Sequence, residues 1–207
     1  MIEFLSHRGF WETSDEKNSL KAITKSFDRG FGIETDIRDF NGELVISHDI
    51  ANSESILLTE VFEQYKNYNV PLALNIKADG LQKKLNDLLN DFEITNYFVF
   101  DMSVPDTLQY LKMNINTFLR QSEYEKDLSM FTGYDGIWLD CFESLWFEEK
   151  IIISHLSNQK KICFVSPELH HRNEVELWQF LKESKIYQQK GILLCTDKPL
   201  EAQKFFS

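Results

Sequence analysis

The chain has 207 residues, a length that suits one domain, since α/β barrels run to about 250 residues as a single unit. Its net charge of −11 and pI near 4.9 argue against nucleic acid and anionic lipid as partners, because both present phosphates to an acidic surface. A small phosphate ligand would need local cations, from Arg, Lys or a metal.

Apolar residues make up 43% and charged residues 27%, the balance of an ordinary globular protein, and 17 Phe supply a core without disulfides. The three cysteines, Cys141, Cys163 and Cys195, form no CxxC or metal-spaced pair, which suits a reducing compartment. The opening MIEFLSHRG carries no basic n-region, apolar h-region or cleavage site, and no apolar run approaches the roughly 20 residues of a membrane span. These features predict a cytoplasmic protein without membrane insertion. Oligomeric state is left open.

The elements alternate along the chain. Ile2–Ser6 reads as a first strand. Glu16–Asp28 reads as a helix with Leu20, Ile23 and Phe27 on one face, ended at Arg29-Gly30. Phe31–Ile37 is a second strand, Asn41-Gly42 a hairpin turn, and Leu44–Ser47 its return strand. Thr59–Tyr68 reads as helical. Pro71–Ile76 is the third strand, followed by an amphipathic helix over Leu81–Phe92. Tyr97–Asp101 is the fourth strand, with Pro105 near the start of the next helix. Ile115–Arg120, Gly136–Asp140, Lys161–Val165 and Gly191–Cys195 are strands five to eight. Helices are expected at Glu174–Glu183 and Leu200–Phe205. Eight strands separated by helices, with no GxGxxG after the first, predict a closed (β/α)8 TIM barrel over residues 1–207 rather than an open doubly wound sheet. The hairpin after strand two is its one insertion.

In such a barrel, chemistry gathers at the C-terminal strand ends. Those ends carry His7 and Arg8, Glu34 and Asp36, His48 and Asp49, Asn75 and Lys77, Asp101, Arg120 and Glu123, Asp140, Glu168, and Thr196 and Asp197. Glu34 and Asp36 stand two apart on one strand and so share a face, where two carboxylates repel unless a cation joins them. Two hard oxygens suit Mg2+ or Ca2+. Arg8 offers a planar fork of donors to a phosphate, and His7 and His48 can exchange protons near neutral pH. Lys77 offers a second phosphate contact. The bland alternatives are exposed carboxylates at a strand edge, a capping Arg and a surface His-Asp pair. His155 is expected on a helix surface, His170-His171 on a loop, Trp138 in the core or a pocket wall, and Cys141 and Cys195 at the barrel mouth or, more commonly for Cys, as small buried apolar residues.

Taken together, SHRG at 6–9, EKNSL at 16–20, IETDIR at 33–38, NGELVISHD at 41–49, FDMSVPDTL at 100–108 and CTDKP at 195–199 resemble the glycerophosphodiester phosphodiesterase family. The resemblance spans the chain and is most specific in the first 50 residues. It implies a metal-dependent phosphodiester hydrolase acting on a small glycerophosphodiester-like molecule. His7 and His48 would be the acid-base pair, Arg8 and Lys77 would contact the phosphate, and Glu34 and Asp36 would ligate the metal. At LNIK, residues 74–77, Asn75 stands where the family usually has an acidic metal ligand. The alternative reading is therefore a weak or silent barrel that binds a phosphorylated metabolite. An isomerase or aldolase is a third reading, with Lys77 the one strand-end lysine for a Schiff base.

Overall fold

The computed structural model describes residues 1–207 as an α/β protein of ten strands and seven α-helices. The chain divides into two compact units, Ser6–Thr117 and Phe118–Ser207, the second including Met1–Leu5. Strand β1 (Glu3–His7) runs across that division.

In the unit Ser6–Thr117, β2 (Gly32–Phe40) is the centre. It pairs in parallel with β5 (Leu72–Ile76), which pairs in parallel with β6 (Tyr97–Phe100). On its other flank β2 pairs antiparallel with β3 (Glu43–Ile46), and β3 with the short β4 (Ile56–Leu57), a strand the sequence reading missed. The β2–β3 turn forms as expected. Asn41 and Gly42 have φ of 49° and 81°, the left-handed pair that a two-residue hairpin with native twist requires.

The expected helix Glu16–Asp28 starts four residues late, as α1 (Leu20–Asp28). Asn18 sits at φ 60° and breaks the helical run, and the Ser19 side chain then caps α1 by accepting the Ala22 N–H. Ile23 and Phe27 are buried, and Leu20 packs at the edge of the core. Helices α2 (Leu58–Tyr65) and α3 (Gln82–Asp91) bury Val61, Phe62, Leu85 and Leu89 in the same apolar cluster. Helix α4 (Val104–Lys112) opens on a Ser103 cap with Pro105 in its first turn.

In the other unit, β7 (Phe118–Gln121), β8 (Gly136–Leu139), β9 (Lys161–Val165) and β10 (Ile192–Thr196) form a parallel ladder in that order. Helices α5 (Glu149–Ser157), α6 (Val175–Glu183) and α7 (Pro199–Phe206) bury Ile152, Leu177, Trp178, Leu181 and Phe206 in its core. Two expectations are corrected here. Residues 122–135, between β7 and β8, form no helix, so strands and helices do not alternate strictly. That segment lacks a continuous apolar stripe, and Glu125 turns back to pair with Arg120 at 2.5 Å. His155 is on α5 but not on its solvent face. Its ring is half-buried, with Nε2 2.8 Å from Gln121 Oε1, and burial lowers its pKa.

Candidate active site

The polar cluster of the unit Ser6–Thr117 begins with a turn. Gly9 N–H donates back to the Ser6 carbonyl at 3.3 Å, so the chain reverses just after β1. Arg8 occupies that turn at φ 58°, a strained conformation for a non-glycine residue and one held where the surroundings enforce it. The enforcing contacts are the Arg8 N–H to the Glu34 carbonyl at 2.9 Å and the Asn18 N–H to the Arg8 carbonyl at 2.8 Å.

Glu34 and Asp36 are both buried, with the alternate-residue placement that puts them on one face of β2. Asp36 stands opposite Asn75 in the β2–β5 register. Arg8 Nε lies 3.0 Å from Asp36 Oδ2, an ion-pair contact without hydrogen-bond alignment. Lys77 Nζ is 3.5 Å from Asp36 Oδ1 and 3.3 Å from Asp101 Oδ2. His7 Nε2 is 3.8 Å from Glu34 Oε2, and the Asn75 amide donates to Glu34 Oε1 at 3.1 Å. Burial, and then the neighbouring Asp36 charge, push the Glu34 carboxyl well above the ordinary carboxylate range, against the pull of His7 and Arg8.

The structure thus brings together His7, Arg8, Glu34, Asp36, Asn75 and Lys77. His48 is held at the same strand end by its backbone. The Ser47 N–H donates to the Asp36 carbonyl at 3.0 Å, and Arg38 donates from Nε and Nη2 to the His48 carbonyl at 3.2 and 3.1 Å. The half-exposed His48 ring turns to its neighbour, with Nδ1 2.9 Å from Asp49 Oδ1.

No three His, Cys, Asp or Glu side chains converge to hold a metal ion. The third oxygen of the cluster is an amide. Glu34 Oε2, Asp36 Oδ1 and Asn75 Oδ1 are buried oxygens with no hydrogen-bond partner. Leaving such an acceptor unsatisfied costs about 1–3 kcal/mol. Three hard oxygens with that unmet demand fit a Mg2+- or Ca2+-type ion, with less donor charge than three carboxylates would offer.

The other acidic strand ends are engaged within their own unit. Glu123 accepts the backbone N–H groups of Phe142, Glu143 and Ser144, while Asp140 Oδ1 accepts the Cys141 N–H and lies 2.7 Å from His170 Nε2. Glu168 accepts from the Thr196 hydroxyl and the Asp197 N–H. Cys141 and Cys195 are buried, as small apolar residues, and form no disulfide; burial pushes the Cys141 thiol up to about 12. Trp138 is buried as well.

One residue of the cluster went unassigned in the sequence reading. Asn18 donates from Nδ2 to Asp36 Oδ2 at 2.9 Å and accepts from Thr35 Oγ1 at 2.8 Å. The segment EKNSL drew attention as a motif, but a polar residue written into an apparent helix gave no sign of its side-chain partner.

No family model matches the sequence, and no curated protein matches it. Solved structures do match in fold. A glycerophosphodiester phosphodiesterase from Parabacteroides distasonis superposes with a TM-score of 0.70 at 14% identity, covering 99% of this chain and 96% of its own. One from Agrobacterium tumefaciens gives 0.71 at 14% identity, with 100% and 99% covered. An Oleispira antarctica phosphodiesterase, in complex with the product sn-glycerol-3-phosphate, gives 0.73 at 15% identity, with 98% and 96% covered. Along essentially its whole length, this chain has the fold of these phosphodiesterases.

Proposed function

We propose that this protein is a metal-dependent phosphodiester hydrolase acting on a small glycerophosphodiester-like substrate. The observation that carries the reading is the set of three orphaned buried oxygens, from Glu34, Asp36 and Asn75, flanked by Arg8, Lys77 and His7. Buried carboxylates beside two cations describe a site for a divalent ion and an anionic ligand together. The shared fold supports the assignment, and the glycerol phosphate product held by the Oleispira antarctica neighbour points to the substrate class.

Glu34, Asp36 and the Asn75 carbonyl would hold Mg2+ or Ca2+. When bound, such an ion draws charge from a phosphoryl oxygen. The remaining work falls to the chain's own residues. Arg8 and Lys77 hold the non-bridging oxygens and stabilise charge that builds on them. One of His7 and His48 takes the proton of the attacking oxygen, from water or a neighbouring glycerol hydroxyl. As the new P–O bond forms and the bond to the alcohol breaks, the other histidine protonates the leaving oxygen.

In this reading residues 1–207 form one (β/α)8 barrel domain, supported by neighbours covered over 96–99% of their own chains. The three buried cysteines, none of them in a disulfide, support a reducing, cytoplasmic setting, and no helix is long and apolar enough to cross a membrane. Small-molecule substrates rather than nucleic acid fit the charge of −11.

The test is metal-dependent release of alcohol from a panel of glycerophosphodiesters with Mg2+, Ca2+ and Mn2+. Turnover that requires added metal is the expected result, and its absence on every diester would sink the assignment. One observation favours a second reading, a silent site that binds a phosphorylated metabolite. Arg8 and Lys77 already face Asp36, so the cluster can take an anion without an ion of its own.

Asn75→Glu separates the two. The variant loses the amide donor to Glu34 and sets a third carboxylate against two buried ones. We expect it to melt below wild type in chelator. It should then gain more than wild type on adding Mg2+, since ligand at 100 times its Kd stabilises by about 2.7 kcal/mol. A melting temperature indifferent to metal in both proteins would favour the silent reading.

A further inference from the structure

We propose that Asn18 is a positioning residue that decides which oxygen of Asp36 faces the ion and the reacting phosphate. The inference rests on the phosphodiesterase reading of the site.

Asn18 lies between the turn after β1 and the start of α1, and three hydrogen bonds converge on it. Its N–H donates to the Arg8 carbonyl at 2.8 Å, its Nδ2 donates to Asp36 Oδ2 at 2.9 Å, and its Oδ1 accepts from Thr35 Oγ1 at 2.8 Å. A carboxylate can only accept, so the amide nitrogen must be the end that faces Asp36. The Thr35 hydroxyl then donates to the amide oxygen and holds the amide against a flip. The backbone permits this because Asn18 is left-handed at φ 60°, a conformation Asn adopts more readily than most residues.

The consequence falls on the two oxygens of Asp36. Oδ2 is engaged by Asn18 at 2.9 Å and by Arg8 Nε at 3.0 Å. Oδ1 makes no hydrogen bond, with Lys77 Nζ at 3.5 Å. One oxygen is anchored and the other is presented. The same amide ties Asp36 to Thr35, the residue between the two carboxylates, and to the backbone of Arg8. Without it, Oδ2 loses its one aligned hydrogen bond, and the carboxylate is free to rotate out of the orientation that leaves Oδ1 unbonded.

The test uses Mn2+ alone as probe, titrated calorimetrically into wild type, Asn18→Gly and Thr35→Val, with melting temperature and kcat/KM on the best diester measured in parallel. Glycine keeps the left-handed backbone and removes only the side chain, so backbone strain does not enter. Partners that orient a metal ligand typically contribute 10–100-fold to affinity or activity. We expect Asn18→Gly to melt close to wild type while binding Mn2+ about 10–100-fold more weakly and losing kcat/KM by a similar factor. Thr35→Val, which leaves Asn18 in place but frees its amide, should lose affinity in the same direction by less. A merely structural role would move the melting temperature and leave Mn2+ affinity alone. Both variants binding Mn2+ within about twofold of wild type, a difference under 0.5 kcal/mol, would overturn the inference while leaving the phosphodiesterase reading intact. Wild type that neither binds Mn2+ nor releases alcohol would overturn both.

Discussion

His7→Ala is expected to lower kcat on a glycerophosphodiester by about 10²–10⁴-fold, and His48→Ala by a similar factor, the range that a positioned proton donor or acceptor contributes. His7 closes β1 with its ring 3.8 Å from Glu34 Oε2 and only 14% exposed, so its environment is set by the buried carboxylates. His48 is 47% exposed on the β3 return and is placed through its backbone by Arg38. With one histidine acting as base and the other as acid, wild-type kcat/KM should be bell-shaped in pH, and each variant should lose one limb of the bell. The double variant should be little worse than the poorer single one, because residues acting as a unit are not additive. Near-normal turnover in both single variants would remove the histidines from the mechanism. Loss in His7→Ala alone would leave His48 as a surface pair with Asp49.

Gly9→Ala is expected to be strongly destabilising. Gly9 sits at φ 89°, outside the comfortable range of an L-residue, which alone costs about 1–3 kcal/mol. A Cβ there would also lie 2.8 Å from the Ala22 carbonyl carbon and 2.9 Å from the Ile23 nitrogen, inside contact distance of the α1 backbone. Backbone cannot swing aside as a flexible side chain can, so the turn or the helix must shift. Overpacking of this kind adds about 1–3 kcal/mol. The sum is roughly 2–6 kcal/mol, or a fall in melting temperature of about 4–24 °C for a chain of this size. Activity should fall with it, because the turn that Gly9 closes also aims His7 and Arg8. Thermal denaturation of Gly9→Ala against Gly30→Ala checks the argument. Gly30 has φ 74° with open space around its Cβ, so it carries the strain without the collision and should lose less. Equal losses would mean that the approach of the β1 turn to α1 is not tight.

Most of the site in the unit Ser6–Thr117 was legible in the sequence, for local reasons. Glu34 and Asp36 share a face because a strand has period two, and the Asn41-Gly42 turn brings Ser47, the residue before His48, back against Asp36 because a two-residue hairpin leaves little choice of register. Every strand but the two-residue β4 was recovered to within a few residues, from short β-rich runs bounded by turn residues. Where the reading slipped, the cause was a side chain or backbone choice with a distant partner. The late start of α1 depends on Asn18 turning left-handed to meet Arg8, Thr35 and Asp36, 10, 17 and 18 residues away. His155 is drawn off the solvent face of its helix to Gln121 across 34 residues.

The sequence by itself determined the order of elements, the hairpin, and the residue types that can hold an ion and a phosphate, since each follows from local periodicity, turn chemistry or the number of donors on a side chain. Only the tertiary structure decided how those residues are used. It set Arg8 and Lys77 against Asp36, turned the Asn75 amide toward Glu34, left Glu34 Oε2, Asp36 Oδ1 and Asn75 Oδ1 buried without partners, and gave Glu123, Asp140 and Glu168 Oε1 hydrogen-bond partners within their own unit. Those outcomes depend on desolvation and on contacts between segments far apart in the chain, and neither is written in the spacing of residues along it.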